Sequence, residues 1–79
     1  MASKKFREED EEYKIFSEYY FICEKYFIPE SKSSPNYDTY WEALIKDTDE
    51  FVLKHKNHTF PVELVLALIR YLEEATEVL

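Results

Sequence analysis

Hydrophobic residues recur along this chain at intervals of three and four positions in three separate stretches. This spacing places the apolar side chains of each stretch on one face of an α-helix. The stretches cover about residues 7–27, 36–55 and 60–78. The pattern therefore predicts an all-α fold, a small three-helix bundle that forms a single domain over residues 1–79, with residues 1–6 frayed.

Prolines and the absence of glycine support these boundaries. Pro29 ends the first helix because the residue before a proline is forced out of the helical region. Ser34 or Asn36 is suited to cap the second helix, and Thr59 or Phe60 the third. The 79 residues contain no glycine. This excludes a glycine-rich phosphate-binding loop, since such a loop needs glycine where the backbone approaches the ligand.

The first two helices each carry one apolar residue outside their main apolar face. In the first helix, Phe21 falls in the middle of the polar half. The second helix places Trp41 on its apolar face, which predicts that the indole lies in the core. Leu53 projects from the opposite, polar side of this helix, among lysines and carboxylates.

The third helix is apolar over more than half of its circumference, with Val62 and Leu66 beside its narrow polar stripe. Two neighbouring helices rarely cover so wide an apolar surface. Either the first two helices clamp the third closely with their aromatic side chains, or a second subunit covers the remainder in a homodimer.

Four apolar positions are therefore candidate partner-binding residues: Phe21, Leu53, Val62 and Leu66. For Phe21 the alternative is packing under the loop Pro29–Asn36. Single exposed apolar residues are also common on protein surfaces and need no partner.

Tyrosine is abundant, with seven residues that all map to apolar helix faces. Such a ring is buried while its hydroxyl needs a hydrogen-bond partner. One interpretation is a small core whose tyrosines reach its rim with their hydroxyl groups. The other is a tyrosine-lined groove that receives a partner. The residues concerned are Tyr13, Tyr19, Tyr20, Tyr26, Tyr37, Tyr40 and Tyr71.

The chain carries a net charge of −7, and its basic residues do not cluster on one face. Direct binding of nucleic acid or of an anionic membrane needs a positive surface, so neither is expected. No apolar run reaches the roughly 18 residues that span a bilayer. The segment from Met1 to Glu12 lacks the apolar stretch of a signal peptide, so we expect a cytoplasmic location.

Candidates for catalysis or metal binding are few. Cys23 lies on the apolar face of the first helix without a neighbouring base, as expected for a small core residue. His55 and His58 are three residues apart, but His55 lies on an apolar face near a helix end and His58 in a turn. We therefore expect no enzymatic activity, no metal and no cofactor.

Three blocks of the sequence resemble a group of small uncharacterised proteins encoded on prophages and mobile elements of Gram-positive anaerobic bacteria. The blocks are EEYKIFSEYYFICEKYFIPE, YWEALIKDTDEFVLKHKN and FPVELVLALIRYLEE. The resemblance implies a bacterial cytoplasmic protein with no known activity, and it assigns no functional residues.

These observations predict a non-enzymatic protein–protein interaction module that self-associates through its third helix and docks on another protein. The alternative is an acidic inhibitor that mimics DNA and occupies the nucleic-acid-binding site of a host protein. Such a mimic needs carboxylates in rows on one continuous face, whereas lysines are interspersed here.

Overall fold

The computed structural model describes residues 2–79 and contains three α-helices, α1 (Glu11–Tyr26), α2 (Tyr37–Lys54) and α3 (Phe60–Glu77). The described residues include no strand. The prediction of an all-α three-helix bundle is confirmed.

The first helix begins later than the sequence predicted, at Glu11 rather than near Arg7. The backbone N–H of Arg7 donates to the Asp10 carboxylate at 3.0 Å, and the Asp10 N–H donates to the Arg7 carbonyl at 2.9 Å. These bonds form a turn, after which Asp10 adopts extended backbone angles. Within the acidic run, only Glu11 and Glu12 thus lie in the first turn of α1, where the helix dipole favours negative charge.

The two connections use ordinary backbone conformations. Asn36 is the residue that precedes α2 and Thr59 the one that precedes α3, so one member of each predicted pair occupies the cap position. Neither side chain hydrogen-bonds to its helix. No described residue has a positive φ angle, which agrees with a chain that lacks glycine.

The core consists of two clusters of buried side chains along the bundle. Tyr19 and Ile22 of α1 pack against both clusters and connect them. Each cluster draws residues from all three helices, so burial of apolar area holds the helices together. One cluster contains Tyr26, Leu44, Leu68 and Leu72, and the other contains Ile15, Phe51 and Val65.

Trp41 lies at the edge of the core rather than inside it. Its side chain is partly buried and packs against the first cluster, with the Tyr40 ring edge-on at 5.5 Å. The indole N–H is buried without a hydrogen-bond acceptor among the described residues. The prediction of a core tryptophan therefore needs correction, because α2 is rotated so that Leu44 and not Trp41 points at the centre.

Tyr26 is buried, and its hydroxyl finds a partner across the α1–α2 contact. It donates a hydrogen bond to the Asp47 carboxylate, which also accepts one from Lys25 at 2.9 Å. The Tyr40 hydroxyl donates to the Tyr26 carbonyl. Burial raises the pKa of Tyr40 to about 12. These two tyrosines match the interpretation of a core whose hydroxyl groups are satisfied at its rim.

The hydrogen bonds that Asp47 accepts predict that the folded state loses stability in acid. The hydrogen bonds from Tyr26 and Lys25 lower the pKa of Asp47 below its ordinary value of 3.8. A lowered pKa in the folded state contributes stability that is present above about pH 4 and is lost as the pH falls through the folded pKa. We expect the melting temperature of the wild type to fall more between pH 5 and 2.5 than that of Asp47→Asn, measured by circular dichroism. Equal falls for both proteins would contradict this assignment.

Candidate partner-binding surfaces

Three of the four predicted partner-binding residues line one groove between α2 and α3. Leu53 forms one wall, and Val62 and Leu66 belong to the other. We call this the α2–α3 groove; it encloses about 470 Å³, and its remaining lining residues are Asp49, Val52 and Val65. These three predicted residues therefore form one surface, because two helices bring them together.

The helix geometry explains this meeting. Leu53 lies in the last turn of α2, and Val62 and Leu66 lie four residues apart on the first two turns of α3. Because a short connection reverses the chain, the end of α2 is next to the start of α3. The exposed fractions of Leu53, Leu66 and Val62 are 69%, 51% and 41%.

The first two helices cover only part of the apolar circumference of α3. Val65, Leu68 and Leu72 are buried against them, while Val62 and Leu66 are not. A close aromatic clamp around the whole of α3 is therefore absent in the described residues. What remains is an apolar surface accessible to a partner.

Phe21 lies elsewhere, on the outward side of α1. It is 67% exposed, and no residue of the loop 29–36 lines either of the cavities that it borders. One of these, which we call the aromatic groove, encloses about 720 Å³. Its lining residues are Phe6, Tyr13, Phe16, Ser17, Tyr20 and Phe21.

The aromatic groove shows that α1 has two apolar faces. Ile15, Tyr19 and Ile22 point to the core, whereas Tyr13 and Tyr20 lie on the opposite side and are exposed. The sequence pattern predicts instead that Tyr13, Tyr19 and Tyr20 share an apolar face. At 100° per residue, however, Tyr13 and Tyr20 are about 160° and 140° from Ile15. This angle was the available signal that these two tyrosines belong to a separate surface.

Phe21 also borders a third cavity, between α1 and α2, which we call the acidic cleft. It encloses about 340 Å³ and includes the carboxylates of Glu18, Asp47 and Glu50 as well as the Lys54 amine. Lys54 pairs with Glu18 at 3.0 Å. Among the described residues, Glu50 has no ion-pair partner.

His55 is buried at the end of α2 and joins this helix to α1. Its Nδ1 atom contacts the Glu11 carboxylate, and its Nε2 atom lies 3.1 Å from Oε1 of Glu18. The imidazole thus bridges two carboxylates of α1. The sequence did not predict this cluster, because the three residues are brought together only when α1 packs on α2.

The described residues contain no group of His, Cys, Asp and Glu side chains suited to hold a metal ion.

Cys23 is half-buried and packs against the first core cluster. Burial raises the pKa of its thiol. The thiol is therefore largely protonated at neutral pH, and it lacks the positive surroundings that activate a nucleophilic cysteine.

The comparisons with known proteins assign no family. Within residues 2–79, no helix combines the length and apolarity needed to cross a lipid bilayer. A scan against protein-family models, a search of curated proteins and a search of solved structures each found no match to this chain.

Proposed function

We propose that this chain is a non-enzymatic protein–protein interaction module that associates with a second copy of itself through the α2–α3 groove. The observation that carries the proposal is the convergence of Leu53, Val62 and Leu66 on one exposed apolar surface. Apolar surfaces of this kind, bounded by polar residues, are typical of protein–protein contacts.

A twofold contact suits this patch, because in such a contact the same residues serve both subunits. Val62 and Leu66 lie on successive turns of α3 and line the groove with Leu53. All three side chains are exposed, so each copy offers apolar area that the same patch of a second copy can cover.

Charge predicts how the dimer responds to salt. Each copy carries a net charge of −7, so two copies repel each other at long range. Salt screens this repulsion, with a Debye length of about 10 Å at 0.1 M ionic strength. Added salt therefore strengthens self-association, whereas it would weaken association with a basic partner.

The distribution of surface charge favours an interaction module over mimicry of DNA. Several exposed or partly exposed carboxylates lie within 4 Å of a lysine, including Glu12 with Lys4 and Glu77 with Lys32. These pairs interrupt the rows of negative charge that a nucleic-acid mimic needs.

The test is sedimentation equilibrium of the wild type and of Leu66→Glu at several concentrations and two salt concentrations. We expect the wild type to dimerise, more strongly at 0.5 M than at 0.05 M salt, and Leu66→Glu to remain monomeric. Ile28→Glu is the matched control, because Ile28 is exposed and lines neither groove. A wild type that stays monomeric at high concentration, or equal dimerisation of Leu66→Glu, would overturn the proposal.

A further inference from the structure

The outward side of α1 carries a second surface that the proposed self-association does not use. It combines the aromatic groove with the adjoining acidic cleft, and Phe21 forms a wall of both. Because the exposed Phe21 ring borders both an aromatic and an acidic surface, the site suits a ligand that carries an apolar group and a cation side by side.

The chain itself shows which chemistry this surface accepts. Residues 2–7 have no regular secondary structure and run alongside α1. Phe6 stacks on Phe16 with ring centroids 5.6 Å apart, and Lys4 pairs with Glu12. A short segment with the sequence Lys-Lys-Phe-Arg, residues 4–7, thus already binds α1 by one aromatic stack and one ion pair.

The part of the surface that residues 4–7 leave uncovered offers the same combination of aromatic rings and a carboxylate. Beyond Phe6, the exposed rings of Tyr13, Tyr20 and Phe21 remain available for a second aromatic side chain. The acidic cleft lies on the other side of Phe21, and Glu50 there has no ion-pair partner among the described residues.

Charge around the surface is also complementary to a cation. The acidic cleft is lined by Glu18, Asp47, Glu50 and Lys54, a net charge of −2, and the whole chain carries −7. Glu24 is exposed and follows Tyr20 by four residues, so it lies on the same outward face one turn further along. Potentials of this sign attract basic segments and raise their rate of association.

From these observations we propose that the aromatic groove and the acidic cleft together bind a basic segment of a partner protein, in which an aromatic residue is flanked by lysine or arginine. The aromatic side chain of the ligand packs against Tyr13 and Tyr20. The neighbouring cation crosses the Phe21 ring toward Glu50.

The probe is a fluorescein-labelled synthetic peptide that contains the Lys-Lys-Phe-Arg sequence twice, added to the full-length chain and followed by fluorescence anisotropy. We expect saturable binding to the wild type. Phe21→Ser and Glu50→Lys should each weaken binding about tenfold, as is common for central contact residues. The matched controls are Ile28→Ser and Glu74→Lys, which make the same kind of change at exposed positions outside both cavities; they should bind like the wild type, apart from a small loss for the added charge.

Three results would overturn the proposal. The first is no binding of the peptide to the wild type. The second is equal binding of a peptide in which both phenylalanines are alanine, since this would show attraction by charge alone. The third is a wild-type dimer that Phe21→Ser dissociates, since the occupant would then be a second copy of this chain. Circular dichroism of each variant should show unchanged helicity, because Phe21 and Glu50 are exposed.

Self-association through the α2–α3 groove and peptide binding on α1 are tested independently of each other. Loss of dimerisation in Leu66→Glu tests the α2–α3 groove and leaves the peptide site on α1 intact. Loss of peptide binding in Phe21→Ser tests the surface on α1 and leaves dimerisation intact.

Discussion

Leu72→Ala is expected to lower the free energy of unfolding by about 2–5 kcal/mol, the usual effect of removing a buried leucine side chain. Leu72 is fully buried, with an exposed fraction of 0%, and lies in one core cluster with Tyr26, Leu44 and Leu68. The total stability of a chain of this length is about 4–12 kcal/mol. The substitution therefore removes a large share of it. Urea unfolding monitored by circular dichroism measures the change.

Leu66→Ala is the matched control for this experiment. It makes the same substitution in the same helix at a position that is 51% exposed. Since little buried area is lost in the monomer, the free energy of unfolding should change by less than about 1 kcal/mol. Both variants are compared at a protein concentration low enough to keep the chain monomeric. Equal losses for the two variants would show that the orientation of α3 is wrong.

His55→Ala is expected to lower the free energy of unfolding by roughly 2–4 kcal/mol, because hydrogen bonds to charged groups contribute more than neutral ones. The substitution removes both contacts of the imidazole and leaves Glu11 and Glu18 facing a cavity. Glu18 keeps its pairing with Lys54 and both carboxylates reach solvent, so the effect stays below that of a fully buried ion pair.

The other histidine of the chain serves as the comparison. His58 lies in the turn between α2 and α3 and makes no side-chain hydrogen bond among the described residues. His58→Ala should change the free energy of unfolding by less than about 0.5 kcal/mol. A larger loss for His58→Ala than for His55→Ala would show that the buried cluster contributes little to stability.

The helices themselves were predictable because their signals are local. Apolar spacing marks each helix, and the prolines mark two of the boundaries. The start of α1 could not be predicted, because the turn from Arg7 to Asp10 competes with the helix through a side-chain hydrogen bond. An acidic run looks the same whether it lies in the first turn of a helix or just before it.

The individual residues of the α2–α3 groove were predictable, but their grouping was not. Leu53, Val62 and Leu66 stand out because each lies at or beyond the edge of its helix's apolar face. A sequence contains no record of the rotation of each helix about its own axis, and that rotation decides which residues meet across a contact.

The second apolar face of α1 was missed for a different reason. Tyr13 and Tyr20 have the composition of core residues, and hydrophobic spacing alone does not distinguish a wide face from two opposite ones. Only the burial of Ile15 and Ile22 together with Tyr19 shows which direction is inward. Hydrophobic spacing likewise could not show that Trp41 lies at the edge of the core, where it is partly buried.

The backbone without positive φ angles has a consequence for engineering of this chain. No turn among the described residues requires glycine, so the two connections accept L-amino acids other than proline without backbone strain. Proline would remove an N–H that donates within a connection, as at Ser34 or His58. Glycine also has a cost, since it makes the unfolded chain more flexible and lowers stability by about 0.4–1 kcal/mol where another residue already fits. Labels, affinity tags or cysteine pairs for distance measurements are therefore best placed at residues 31–33 and 56–57, with short linkers that contain no glycine.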